Sequence, residues 1–310
     1  MYNIFGIKSW CPITAAQAMV LSRLEEDGGT VRRRGVLTRV DRELDKGKYK
    51  EALSLVKQLQ RQPGRLRGFG AIKLVPNKML ELNGLQNREI SSASCTGEPS
   101  LIDNVMHSIE CCRRFAIEEQ EGLASESVSS VDNESDNSAS EDHFMCLQHE
   151  AGHFLVGYLL GILPKRYRIP SVQDLMEERF AGGMVEFLGF EFLSEIDVAD
   201  TLNKHRKKTK GTLSNETLNR FLCVVVAGLV AEHLLFGYSE MLHSDVKKMD
   251  NVLKWLDFTE DEAYYRVRYA ALNSIIMLST HDLARSKLAE AMASRRSISF
   301  CIHTIENSLK

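Results

Sequence analysis

Residues 121–142 (EGLASESVSSVDNESDNSASED) set the first constraint on what this chain can fold into: they hold seven acidic residues, seven serines and no Lys or Arg. Such a stretch has too little apolar surface to offset the entropy of ordering its backbone, so it predicts a disordered linker or a long surface loop. The flanking segments must then bury their apolar surfaces separately. The sequence thus divides into a helical N-terminal region over 1–120, an acidic linker over 121–143 and a second domain over 144–310.

Charge supports the division. Residues 1–68 carry 14 Lys/Arg against 7 Asp/Glu, and the remainder carries 25 against 35. The net charge of −3 gives no electrostatic reason to expect a nucleic acid partner. Seven cysteines, odd in number and without a C-x-x-C pair, give no sign of a disulfide framework or a thiolate zinc site, and they fit a reducing compartment. The longest runs without Asp, Glu, Lys or Arg are Ser9–Ser22 and Ala151–Pro164, 14 residues each. A membrane span takes about 20 apolar residues, so no transmembrane segment is expected. The first 22 residues lack acidic groups, but Glu25, Glu26 and Asp27 follow and no cleavage site stands out; a frayed terminus and a remnant of an organellar targeting peptide fit equally.

Helical periodicity dominates the rest. Val40–Gln60 places Leu44, Ala52, Leu53, Leu55, Val56 and Leu59 on two amphipathic stretches around Gly47, which reads as a helical hairpin. It resembles half of a tetratricopeptide unit, yet no second copy recurs, so a solenoid is not expected. Beyond the linker, Cys146–Leu163 reads as a helix stopped by Pro164, and Ala181–Phe192 as a short strand or hairpin. Ser214–Phe236 reads as a long apolar helix ended by Gly237, with further helices over Ser244–Leu256, Thr259–Leu278, His281–Ala293 and Ser299–Leu309. The expected fold class is mainly α, with a minor β-hairpin or sheet.

Chemistry concentrates in His149-Glu150-Ala151-Gly152-His153. On a helix, i and i+4 imidazoles lie one turn apart on one face and can bind one Zn²⁺, while Glu150 lies beside them to take a proton from water. The following apolar run Phe154–Leu163 would bury the helix, and Gly152 and Gly157 permit close packing. A third histidine in the H-E-x-x-H-x-x-G-x-x-H arrangement would fall at Leu159, which excludes that class. An acidic third ligand is therefore needed, and Glu232 and Asp245 are the candidates.

HEAGHFLVGYLLG, then VVVAGLVAEHLLFG, then HSDVKKMDNVLKWL resemble, in order, the peptidase domain of FtsH-type zinc metalloproteases, over residues 144–310. The likeness is strongest to plant chloroplast FtsH-like, stress-regulated proteins that lack the AAA ATPase domain. The resemblance implies a zinc metalloendopeptidase in which His149, His153 and Asp245 bind the metal and Glu150 is the base. Glu232 would then orient a ligating histidine from behind. It also implies that a substrate strand adds to an edge around Gly183, Met184 and Val185. Protein or peptide substrates, an ATPase partner, a homo-oligomer and a chloroplast setting follow from the same likeness. Three positions depart from the pattern: Leu229 replaces an Arg, His233 a Glu and Ser244 an Asn. No G-x-x-x-x-G-K-[ST] occurs, and the glycine-rich run Gly64–Gly70 lacks the Lys-Ser/Thr ending, so no phosphate cradle is expected. An FtsH-like interaction or assembly protein without proteolysis is the alternative.

Overall fold

The computed structural model describes residues 15–62, 66–75, 100–120, 135–177, 182–196 and 212–309. It is mainly helical with one two-stranded antiparallel sheet, and the chain forms two compact units, Met1–Leu66 and Arg67–Lys310.

In the first unit, α1 (Ala15–Asp45) and α2 (Tyr49–Gln60) pack as a hairpin. Leu37, Val40 and Leu44 on α1 and Ala52, Val56 and Leu59 on α2 are buried at the i, i+3, i+4 spacing of an amphipathic face. The turn between them needs a left-handed residue, and Gly47 supplies it at φ +70°. The expected hairpin is present, but α1 begins well before Val40. Its early turns include Gly28-Gly29, poor helix formers that hid the helix from periodicity.

The second unit contains α3 (Leu101–Gln120), α4 (Ser135–Leu159), β1 (Pro164–Arg168), α5 (Val172–Glu177), β2 (Met184–Phe187), α6 (Asn215–Phe236), α7 (His243–Trp255), α8 (Glu260–Thr280), α9 (Asp282–Ala293) and α10 (Ile298–Ser308). At its centre α4 packs against α6 and α9, and α6 against α8. Two glycines on α4 make this approach possible. A Cβ at Gly152 would stand 2.7 Å from the Ala227 carbonyl oxygen and 2.9 Å from Ala231 Cβ, so α4 and α6 touch nearly backbone to backbone. A Cβ at Gly157 would meet the Phe187 ring at 2.3 Å, so the missing side chain seats β2 on α4. By length and composition α6 is apolar enough to cross a membrane, with mean hydropathy 1.6, but 78 % of that window is buried inside the protein, where packing against α4 and α8 uses its apolar surface.

Several boundaries differ from the sequence expectation. The linker expected over 121–143 ends earlier, because α4 starts at Ser135 and Ala139 is already buried; 121–134 lie outside the described residues. Acidic residues in the first turns of a helix sit at the positive end of its dipole, which a count of charges along the chain does not register. At the other end, α4 stops at Leu159 rather than at Pro164. Gly161 at φ +80° donates to the Tyr158 carbonyl and Ile162 to the Gly157 carbonyl, a Schellman cap. Pro164 instead opens β1, whose charged residues Lys165, Arg166 and Arg168 concealed it; Lys165 and Arg166 both pair with Glu186 of β2.

The units divide at Leu66/Arg67, whereas the sequence places a boundary at the acidic segment, so α3 belongs to the second unit. Its Arg113 holds Asp250 of α7 through two guanidinium nitrogens, at 2.6 and 3.0 Å. Arg67 and Gly68 of the glycine-rich run are pinned within that unit too. The backbone N–H groups of Arg67 and Gly68 donate to the fully buried Glu306 carboxylate at 2.7 and 2.8 Å, and the Tyr158 hydroxyl donates to it at 2.6 Å.

Candidate metal centre

Helix α4 is buried around its whole circumference from Met145 to Leu159, so its polar residues must find partners inside the protein. His149 and His153 find theirs on α6. The His149 Nδ1–H donates to the Glu232 carboxylate, and the His153 Nδ1–H donates to the Val224 carbonyl at 2.6 Å. In the neutral imidazole each bond keeps the proton on Nδ1 and leaves a lone pair on Nε2.

Those two Nε2 atoms stand 2.9 Å apart, and Asp245 Oδ2 stands 3.0 Å from the first and 2.8 Å from the second. All three side chains are buried and their ligand atoms converge. With both Nδ1 atoms donating, none of the three contacts holds a proton to share. Protonating one imidazole still leaves the other Nε2 lone pair facing the carboxylate oxygen. A cation satisfies all three atoms together, so the donor set fits a metal ion, which His149, His153 and Asp245 would hold.

The ionisation of these buried groups is shifted as this geometry demands. Burial opposes an imidazolium at His149, yet the Asp245 and Glu232 carboxylates hold it well above its usual range. Burial likewise opposes an ionised Asp245, and the two imidazoles outweigh it and hold the carboxyl well below its usual range. Asp245 occupies the first turn of α7, but the N-cap is Leu242 with no side-chain cap bond. Its carboxylate therefore serves the histidines, and Oδ1 accepts from Lys248 Nζ at 3.1 Å.

Glu232 lies behind His149, not at the point of convergence. Its second oxygen accepts the Glu240 and Met241 N–H groups at 2.8 and 3.3 Å. One buried carboxylate thus ties His149 to the loop that leads into α7 and delivers Asp245. Its carboxyl is lowered, with burial opposing and the His149 contact and the Glu240 amide prevailing.

Glu150 is 4 % exposed, and among the described residues its Oε2 has no hydrogen-bond partner. Burial raises its carboxyl although both imidazoles draw it down. A buried, unpaired carboxylate oxygen costs stability, so its persistence beside a metal-ligand cluster calls for a purpose. The chain passes it closely: a Cβ at Gly183 would lie 2.5 Å from Glu150 Cγ and 2.6 Å from Oε1. Gly183 leads into β2, where Met184 and Val185 are half-buried and pair with Arg168 and Tyr167 of β1. Among the described residues no strand covers the other edge of β2.

Sequence reasoning missed three contributors. A Cβ at Gly228 would lie 2.5 Å from His149 Nε2, so this glycine makes room for the ring; the Ala227-Gly228 pair was the available signal. The Val224 carbonyl carries no side-chain signal at all. Lys248 stood out only by its i+3 spacing from Asp245. The positions that depart from the family pattern supply none of the three ligand atoms: Leu229 is buried, His233 Nε2 meets Ser108 Oγ at 3.0 Å, and Ser244 is exposed. Compared with family models, curated proteins and solved structures, the chain matches none.

Proposed function

We propose that the protein is a zinc-dependent metalloendopeptidase of the FtsH peptidase type, cutting unfolded or partner-delivered chains without an ATPase of its own. The observation that carries this reading is the unpartnered, buried Glu150 oxygen beside three converging ligand atoms. Two imidazoles and one carboxylate are a donor set that suits zinc, and the ordered HEAGH, AGLVAEH and HSD motifs support the FtsH type. Bound zinc supplies Lewis acidity, which makes water a nucleophile near neutral pH and polarises a carbonyl.

The chain's own residues do the rest. Glu150 takes the proton of the attacking water on its free oxygen and returns it to the leaving amine as the C–N bond breaks, giving a new carboxylate and a new amine. Glu232 and Val224 hold the imidazoles with Nε2 toward the ligand point. The uncovered edge of β2, next to Glu150, would align the substrate backbone by strand pairing. N-methyl groups on substrate amides near the cleaved bond remove donors for such pairing, so KM should rise about 10-fold; an unchanged KM would place the peptide elsewhere. An ATPase partner and a chloroplast setting belong to this proposal through the resemblance alone.

The reading is tested with purified full-length protein and unfolded casein. Cleavage should stop on chelation and return with added zinc. Stoichiometric zinc without any cleavage would make the protein a metal-stabilised interaction module.

A further inference from the structure

The second unit carries an open groove of about 620 Å³, lined by Ser140, Glu141, Phe144, Met145, Phe236 and Tyr238. It lies one helical turn from the His149–Glu232 contact along both central helices. Met145 precedes His149 by four residues on α4 and Phe236 follows Glu232 by four on α6, about 6 Å in each case at 1.5 Å per residue. Aromatic rings form one wall: Phe144 stands edge-on to Phe236 at 5.9 Å, and Phe236 leans on Tyr238 at 6.2 Å. Phe144 and Tyr238 are 48 % and 49 % exposed, so this aromatic surface is left open rather than packed into the core.

The rim carries Glu141, and two more carboxylates flank the lining residues in sequence: Asp142 directly follows Glu141, and Glu240 comes two residues after Tyr238. Asp142 and Glu240 lie close enough that the Asp142 charge, after burial, helps raise the Glu240 carboxyl above its usual range. Among the described residues, none of these three carboxylates is engaged in an ion pair. Aromatic faces attract cations through their quadrupoles, and carboxylates at the rim complete a charge-assisted contact. A neutral apolar side chain would use the rings and leave the acidic rim without a counter-charge.

We propose that this groove is a binding site for a lysine or arginine side chain of the substrate, selecting peptides with a basic residue near the cleaved bond. The substrate assignment rests on the peptidase reading above, but the chemistry of the groove does not depend on the metal.

The test uses full-length Glu150→Gln, which should bind peptide without cutting it. Its ligands are fluorescent peptides about ten residues long, with lysine or its uncharged isostere norleucine scanned through each position. At about 0.15 M salt, lysine at one favoured position should tighten binding about 10-fold over norleucine. Added to Glu150→Gln, either Glu141→Gln with Glu240→Gln or Tyr238→Leu should cut that difference to below about 3-fold. Equal binding, tighter binding of norleucine, or a preference that survives both changes would overturn the proposal. Self-association of the protein that Tyr238→Leu abolishes would also overturn it, by giving the groove to a second copy. Parallel digestion with the parent protein separates the two readings. Preference without cleavage sinks the peptidase and keeps the groove; cleavage without preference does the reverse.

Discussion

Glu150→Gln is expected to lower kcat by roughly 10²–10⁴-fold, the usual cost of a lost general base, or about 3–5 kcal/mol in the barrier. Zinc content should be unchanged, because Glu150 supplies none of the three converging atoms. Stability should hold or rise. Burial raises the Glu150 carboxyl, so the ionised form is disfavoured in the folded protein. The folded state then holds more protons than the unfolded state above the ordinary carboxyl range, and stability falls as pH rises through that range to the folded value. A neutral amide removes this penalty, so thermal unfolding near neutral pH should shift upward or stay level while casein cleavage collapses. A variant that cleaves at the parental rate would end the assignment of Glu150 as base.

Asp245→Asn should weaken zinc binding by more than about 100-fold, beyond the 10–100-fold that the loss of an outer partner costs, because it removes the one anionic oxygen among the three ligand atoms. Glu232→Gln should fall within about 10–100-fold, since its contacts are to His149 Nδ1 and to two loop amides. Folding should survive Asp245→Asn, because no helix cap depends on that carboxylate. Competition titration with a zinc indicator reads both variants. A larger loss in Glu232→Gln than in Asp245→Asn would reverse their roles.

The histidine pair was legible because helix periodicity alone turns an i, i+4 spacing into a shared face. Asp245 was not legible from spacing: it lies 96 positions from His149. Ser and Asp at a helix start are also ordinary capping residues, so the ordered motifs had to distinguish a ligand from a cap. The long apolar helix and its Gly237 stop were readable, and α6 ends there with Gly237 left-handed. The partner strand β1 was hidden because the partners that pay for its charges lie on β2, in contacts no local window contains. The early start of α4 was hidden for a related reason: Ala139 is buried only through tertiary packing. A backbone carbonyl such as Val224, which fixes the His153 tautomer, cannot be read from residue type.

Whether His149, His153 and Asp245 hold one metal ion is decided by an anomalous-difference map recorded across the zinc absorption edge on crystals grown with zinc. A single strong peak is expected where the two Nε2 atoms and Asp245 Oδ2 converge, lost in crystals of Asp245→Asn. A map with no peak there, while His149 and His153 keep their bonds to Glu232 and Val224, would contradict metal binding by these three residues.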